Sequence, residues 1–222
     1  MFIDEKQSWI RENKLAMFFT AVKPRREWEV STGARAVHLP FGVNVDVFRD
    51  LGKTRIHDVG FSGLVHGDDL HDPVQVRERM ISVMNSMADV RFYHSEGYKT
   101  AEREYARHLN SAKIWLSTPG PLHYVGTRYL EAMASGALLV CSSIPSVAGW
   151  EHFEDAYEGF LEDGLNCVIV HCDLSDFEEK IRYWLQSDSE RRRIIDKARR
   201  TAQTHTWDKR AAAFTEHVRL VI

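Results

Sequence analysis

Two short apolar runs that flank one helical segment constrain the fold of this chain more than any other feature. The runs are residues 114–117 (IWLS) and 137–141 (ALLVC), and a loop rich in Pro and Gly and then a helical segment lie between them. Strand, loop, helix and strand in this order form one βαβ unit. Such units build parallel sheets that carry helices on both faces. The sequence therefore predicts an α/β protein with a Rossmann-like parallel sheet.

The opening of that helix carries the groups that are best suited to a ligand. Thr127, Arg128 and Glu131 lie in its first turn or just beyond it, and Gly126 precedes it. In open α/β sheets, ligands bind at the carboxyl ends of strands, where helix N-termini direct N–H groups at anions. Amides and a guanidinium suit a diphosphate, and a carboxylate one turn deeper suits ribose hydroxyls. The structural alternative is that the glycine and threonine serve only the turn and the cap, and that the arginine pairs only with the glutamate.

The same segment, residues 123–136 (HYVGTRYLEAMASG), resembles the nucleotide-sugar loop of GT-B glycosyltransferases of the group-1, family-4-like type. The family pattern is roughly E-x-x-G-x-x-x-x-E-A-M-A-x-G. Residues 131–134 and Gly136 match its second half, and Gly126 matches the inner glycine. His123 stands where the family has its first Glu. A neutral histidine can bond a hydroxyl, but it cannot supply a fixed negative charge near a developing oxocarbenium ion.

Other segments resemble the family in the same order along the chain. They are the hinge-like residues 37–48 (VHLPFGVNVDVF), the first strand and turn at 57–63 (HDVGFSG), the late strand at 163–173 (DGLNCVIVHCD) and the final helices at 198–214. The resemblance implies a GT-B C-terminal domain with a truncated N-terminal part. We expect residues 1–50 to be a remnant of the acceptor-side domain plus the hinge, and residues 51–222 to be the nucleotide-sugar-binding Rossmann-like domain.

The resemblance also implies roles for the residues of the opening motif. Glu131 would bind the ribose, and Gly126, Thr127 and Arg128 would bind the diphosphate. His123 is the candidate in this motif for contact with the donor sugar. His123 and Glu131 are therefore the candidate catalytic residues.

Four further residues are candidates for the nucleotide-sugar site by resemblance. Gly63 would let the first loop approach the ligand closely, although a strand-end turn explains the same glycine. Arg77 would meet the diphosphate, with a solvated surface position as the alternative. His94 and Ser95 fall where the family places the nucleobase, and the alternative is again a surface loop.

Local patterns predict most of the remaining elements. Residues 5–14 read as a helix, and residues 15–22 and 34–39 read as strands. Residues 74–87 show the helical spacing of a buried stripe of Met and Val. In the C-terminal third, the patterns S-x-x-E at Ser175 and at Ser187 are predicted to be capping boxes that begin two helices.

Composition excludes several classes of function. The formal net charge of −3 offers no electrostatic reason to expect nucleic acid as a partner. The three cysteines, Cys141, Cys167 and Cys172, form no C-x-x-C pair and indicate reduced thiols in a cytoplasmic protein. The segment 66–72 (HGDDLHD) has neither zinc nor EF-hand spacing, so we predict no metal. No apolar stretch reaches the roughly 18 residues of a membrane span.

The resemblance implies a glycosyltransferase that moves a sugar from a nucleotide-diphosphate donor to a carbohydrate, lipid or protein acceptor. By resemblance, no cofactor beyond the donor substrate and no metal are expected. One alternative is a non-catalytic donor-binding subunit that needs a partner chain for its acceptor site. Another is a different GT-B-fold nucleotide-sugar enzyme, such as an epimerase or a phosphorylase, because fold alone does not decide the reaction.

Overall fold

The computed structural model describes residues 2–63, 65, 75–95, 101–119, 125–145 and 156–220, and for residues 2–5 the backbone alone. The chain divides into two compact units. One consists of Met1–Gly42 with Trp207–Ile222, and the other of Val43–Thr206. The functional division predicted between residues 50 and 51 stays a prediction, and the boundaries of the compact units lie at other positions in the chain, after Gly42 and after Thr206.

The smaller unit is built around a two-stranded parallel sheet. Its elements are α1 (Phe2–Glu12), β1 (Met17–Thr20), α2 (Arg26–Thr32), β2 (Arg35–His38) and α8 (Trp207–Arg219). Phe19 of β1 packs against Phe214 of α8, with ring centroids 4.6 Å apart. The helix and the two strands predicted from the sequence in this part of the chain are confirmed, with bounds that differ by a few residues.

The larger unit contains a sheet of five described strands, all parallel. They are β3 (His57–Ser62), β4 (Phe92–Ser95), β5 (Ala112–Ser117), β6 (Leu138–Ser142) and β7 (Val168–Val170). Their spatial order is β4-β3-β5-β6-β7. Because the chain moves from β3 outward to β4 and then returns past β3 to β5, the direction of winding reverses between β3 and β5. Ligands of open α/β sheets bind at the carboxyl ends of strands at such a switch point.

Helices cover both faces of this sheet. They are α3 (Val76–Ser86), α4 (Glu102–Leu109), α5 (Thr127–Ala134), α6 (Phe177–Gln186) and α7 (Asp188–Thr204). Trp115 and Leu139 share a core cluster with α4 and α5, whereas Ile114 and Val140 share the other cluster with α3 and α6. Neighbouring residues of one strand thus point into opposite cores, as in a doubly wound sheet. The predicted α/β class, with a Rossmann-like parallel sheet and helices on both faces, is confirmed.

A glycine ends α5 and directs the chain into β6. Gly136 has the left-handed φ of 73°. Its N–H donates to the carbonyl of Met133 at 3.2 Å, and the N–H of Ala137 donates to the carbonyl of Ala132 at 3.3 Å. This is the usual way in which a glycine closes the last turn of a helix. The final glycine of the motif at residues 123–136 therefore has a structural role.

Both predicted capping boxes are wrong. The Ser175 hydroxyl donates to the Asp173 carboxylate at 2.7 Å in a turn, and α6 begins after Asp176 without a side-chain cap. Ser187 precedes α7, but its side chain makes no capping hydrogen bond. The Glu190 carboxylate accepts from the Tyr183 hydroxyl instead of reaching back to the Ser187 amide. In both cases another local partner competes successfully for the side chain that the pattern assigned to the cap.

Candidate functional site

Those predicted ligand-binding residues that the structure describes lie at or near the carboxyl edge of the sheet, at the switch point between β3 and β5. Strand β3 ends at Ser62 and is followed by Gly63, and β5 ends at Ser117 and is followed by Thr118. Helix α5 begins at Thr127, and its N-cap Gly126 is extended, with φ −76° and ψ 173°. The fold therefore brings the turn after β3 and the start of α5 to one place, as the sequence predicted.

Arg128 joins the end of β3 to the start of α5. Its Nη1 donates a hydrogen bond to the carbonyl of Ser62. Its Cζ also lies over the ring of Tyr105 on α4, 5.5 Å from the ring centroid. The side chain is half-buried. A guanidinium in this position is held at the sheet edge while part of it stays accessible to a ligand.

Arg77 brings a second guanidinium to the same edge. It lies in the first turn of α3, and its Nε donates to the Thr118 hydroxyl at 2.6 Å, just beyond the end of β5. Arg77 and Arg128 thus bind the ends of two adjacent strands, β5 and β3. Guanidinium groups stay protonated at all physiological pH values and bind phosphate oxygens with parallel hydrogen bonds. Together with the N-terminus of α5, they create a positive edge suited to a diphosphate.

Glu131 lies one turn into α5, behind Arg128, and is partly buried. Burial raises the pKa of its carboxyl group from 4.5 to about 7. The positive charge of Arg128 and a hydrogen bond from Thr127 act in the opposite direction, and the negative charge of Glu102 adds to the rise. Near neutral pH the side chain can therefore both accept and donate hydrogen bonds, and hydroxyl groups can pair with it in either state.

Gly63 allows the chain after β3 to lie against Arg128. Its φ of 145° is one that residues with side chains rarely adopt. A Cβ added there would lie 3.5 Å from Nη1 of Arg128 and 3.7 Å from Cζ of Phe61. The space is sufficient, so it is the backbone conformation that requires glycine at this position.

His94 and Ser95 end β4, next to the end of β3. The Ser95 hydroxyl donates to the Ser62 hydroxyl at 3.2 Å. The His94 ring lies beside Phe61 and Phe92, with centroids 5.7 and 6.0 Å away. Its Nε2 is buried, and no hydrogen-bond partner for it lies among the residues that the structure describes. Both residues are therefore placed at the same sheet edge as the arginines, with one unused polar atom on His94.

His123, the candidate for contact with the sugar, lies outside the described residues, and so does the segment 66–72. Within the described parts of the chain, no group of three or more His, Cys, Asp or Glu side chains could hold a metal ion. In the same parts, no helix is long and apolar enough to cross a membrane.

Three residues of this edge were not predicted from the sequence. Ser62 and Thr118 accept hydrogen bonds from the two arginines, and they could have been found, because each lies where an apolar strand run ends. Tyr105 could not have been found in this way. It lies in a charged helical segment, and its contact with Arg128 depends on how α4 packs beside α5.

Comparison with known proteins agrees with this geometry. Residues 71–216 match the model of a protein family described as glycosyl transferase-like. The sequence matches no curated protein at a significant level.

Several solved structures share the fold. Sucrose-phosphate synthase from Thermosynechococcus elongatus matches with a TM-score of 0.69 and 13% identity, over 99% of this chain and 61% of that one. TarM matches with a TM-score of 0.64 and 13% identity, over 96% and 45%. Anabaena HepE in complex with UDP-glucose matches with a TM-score of 0.59 and 10% identity, over 91% and 63%. The chain thus spans less than two thirds of the length of each of these relatives.

Proposed function

The chain belongs to the glycosyl transferase-like family and has the fold of the C-terminal half of a GT-B glycosyltransferase, and from this premise we propose that it binds a nucleotide-diphosphate sugar and serves sugar transfer to an acceptor. The observation that carries the proposal is the pair of guanidiniums, Arg77 and Arg128, at the switch point of the sheet. The UDP-glucose bound by the similar HepE supports a donor of this class.

In this proposal the two arginines stabilise the leaving group. As the bond between sugar and diphosphate breaks, negative charge accumulates on the departing diphosphate. Cations that already stand at that position stabilise this charge without reorganising, and such preorganised electrostatics usually make the largest single contribution to a rate. Each arginine is held by a neutral oxygen, the Ser62 carbonyl or the Thr118 hydroxyl. These bonds orient the guanidinium groups, and the two oxygens that accept them carry no charge.

Because the guanidiniums supply this positive charge, we propose that no metal ion is needed. Activity should then persist when divalent cations are removed with EDTA. A requirement for added Mg²⁺ or Mn²⁺ would contradict this part of the proposal.

Glu131 is proposed to bind the ribose hydroxyls of the donor. It lies one turn behind the proposed diphosphate-binding groups on the same helix, as a ribose lies beyond the phosphates of a nucleotide. His123 is proposed to contact the donor sugar. His94 and Ser95, at the end of the edge strand β4, are proposed to face the base.

The direct test is a thermal-shift screen with UDP, GDP, ADP and dTDP and their common sugar conjugates. A ligand at 100 times its Kd should stabilise the protein by about 2.7 kcal/mol. If none of these ligands raised the melting temperature, the proposal would be wrong.

The role of Glu131 is tested by comparing UDP with 2′-deoxy-UDP. The wild type should prefer UDP by about 10-fold, because the loss of one hydroxyl leaves a site polar group unpaired. In Glu131→Ala the two affinities should converge. The exposed Glu179 on α6 provides the control, and Glu179→Ala should keep the preference.

A second candidate is a donor-binding subunit whose acceptor site lies on a partner chain. The observation in its favour is the likeness to a structure described as the GtfA/B complex, with a TM-score of 0.60 and 14% identity over 99% of this chain and 48% of that one. Both candidates predict binding of the donor. They differ in turnover, since the subunit would hydrolyse or transfer sugar only after the partner is added.

A further inference from the structure

We propose that Tyr105 is a positioning residue of the diphosphate site, whose ring holds the Arg128 guanidinium in place for the phosphates. This inference rests on the proposed function. Tyr105 belongs to α4, the helix beside α5, and its ring lies under Arg128 with 5.5 Å between Cζ and the ring centroid. None of the motifs in the sequence includes this residue.

The ring is itself fixed by other aromatic side chains. Phe48 meets it edge-to-face at 5.9 Å, and Trp115 meets it edge-to-face at 6.0 Å. Both neighbours belong to the buried core on the α4 and α5 side of the sheet. A ring that is packed in this way cannot turn aside, so it offers Arg128 a rigid surface.

Arg128 contacts the ring and the end of β3 at the same time. Its Cζ lies over the Tyr105 ring, and its Nη1 donates to the Ser62 carbonyl at the end of β3. The ring attracts the cation through its π electrons, and the carbonyl accepts a hydrogen bond. These two contacts restrain the guanidinium, and neither the ring nor the carbonyl carries a charge that would compete with phosphate.

Glu131 explains why such a restraint is useful. Its carboxylate lies close enough for the charge of Arg128 to lower its pKa. Ionised Glu131 therefore attracts the guanidinium too, and it would neutralise part of the positive charge. The ring adds an attraction that holds the cation without neutralising it.

The hydroxyl of Tyr105 does not contribute to this role. Arg128 and Trp115 approach it, but it is buried and makes no hydrogen bond of good geometry to any residue that the structure describes. Burial raises the pKa of this hydroxyl, so it stays neutral. An unpaired buried hydroxyl costs stability. Removing it should therefore leave both folding and binding intact, whereas removing the ring should not.

The test compares Tyr105→Leu, which loses the ring, with Tyr105→Phe, which keeps it. The matched control is Phe160→Leu, which removes another partly buried aromatic ring of the same core cluster, one that packs against His205. Affinities are measured for inorganic pyrophosphate, for UDP, GDP, ADP and dTDP, and for the corresponding nucleosides. Tyr105→Leu should weaken pyrophosphate and the best nucleoside diphosphate by about 10-fold, the level of a partly desolvated cation–π contact. The nucleosides should be unaffected, and Tyr105→Phe and Phe160→Leu should stay within about 2-fold of the wild type.

Several outcomes would overturn the inference. One is unchanged diphosphate affinity in Tyr105→Leu, and another is an equal loss for nucleosides, which indicates general damage to the site. A loss in Tyr105→Phe as large as in Tyr105→Leu would assign the role to the hydroxyl. If Tyr105→Leu does not fold, Tyr105→Met gives the same comparison with a larger apolar side chain. A wild type that binds none of the four diphosphates overturns the proposed function itself, and this inference with it.

Discussion

The wild-type protein should lose stability as the pH rises toward neutral, and replacing Glu131 with glutamine should abolish this loss. The pKa of Glu131 is raised from 4.5 to about 7, mainly by burial, so the folded state holds a proton that the unfolded chain releases. The contribution to stability is therefore fully present below about pH 4.5 and is lost as the pH rises to about 7. At about 1.4 kcal/mol for each pH unit between those values, the loss amounts to about 3 kcal/mol.

Glu131→Gln keeps the shape of the side chain and cannot ionise, so it should not show this loss. Urea unfolding at several pH values between about 4.5 and 8 gives the free energy of unfolding of both proteins. The difference between the two free energies isolates the effect of this carboxyl group from that of all other titrating groups. The free energy of unfolding of the variant should increase relative to that of the wild type as the pH rises, and above pH 7 the variant should be more stable by up to about 3 kcal/mol. Glu179→Gln on the exposed face of α6 should show a flat difference.

Parallel profiles for the wild type and Glu131→Gln would refute this reasoning. They would mean that Glu131 is ionised in the folded protein throughout this range. Its attraction for Arg128 would then be permanent.

The remaining predictions concern packing, backbone anchoring and ligand charge. Gly60→Ala should destabilise the protein by about 3 kcal/mol in urea unfolding, because the added Cβ would lie 2.4 Å from the Trp115 ring in a packed core. A loss of less than about 1 kcal/mol would contradict this prediction. Arg55→Met should cost about 3 kcal/mol of stability in the same assay, because the Arg55 guanidinium donates to the carbonyls of Leu109, Ala112 and Ser135. Arg55→Lys should recover little of this stability, because one ammonium cannot span three acceptors. Arg77→Met and Arg128→Met should each weaken the binding of nucleoside diphosphates by about 10- to 100-fold, as measured by calorimetry. The control is Arg79→Met, which alters an exposed arginine of α3 that bonds to the Asp173 carbonyl, and it should leave the affinity unchanged. Equal losses in all three arginine variants would indicate long-range attraction instead of a defined site.

The position of the proposed site follows from the winding of the sheet. The winding of the chain reverses between β3 and β5, and Ser62 at the end of β3 and Thr118 just after β5 bind the two arginines. The arginines come from α3 and α5, the helices that directly follow β3 and β5. Each of these bonds reaches the end of the neighbouring strand, and not the strand that precedes the arginine's own helix.

Local sequence predicted the elements of the larger unit because each depends on short-range periodicity. The runs at residues 114–117 and 137–141 are strands β5 and β6, and the motif between them contains α5 and its terminal glycine. The capping boxes predicted at Ser175 and Ser187 also depend on residues that are close in the chain, and these predictions were wrong. Their side chains had other nearby partners, and a pattern of residue types cannot rank partners that are equally close in the chain.

The sequence by itself determined the fold class, the order of the elements and the residues at the start of α5. These properties depend on apolar spacing and on turn residues, which act between neighbours in the chain. Only the tertiary structure decided that Arg77 reaches Thr118 across the sheet edge, that Tyr105 lies under Arg128, and that burial raises the pKa of Glu131. Each of these depends on how separate helices pack around the carboxyl edge of one sheet, and packing between distant segments leaves no local pattern in the sequence.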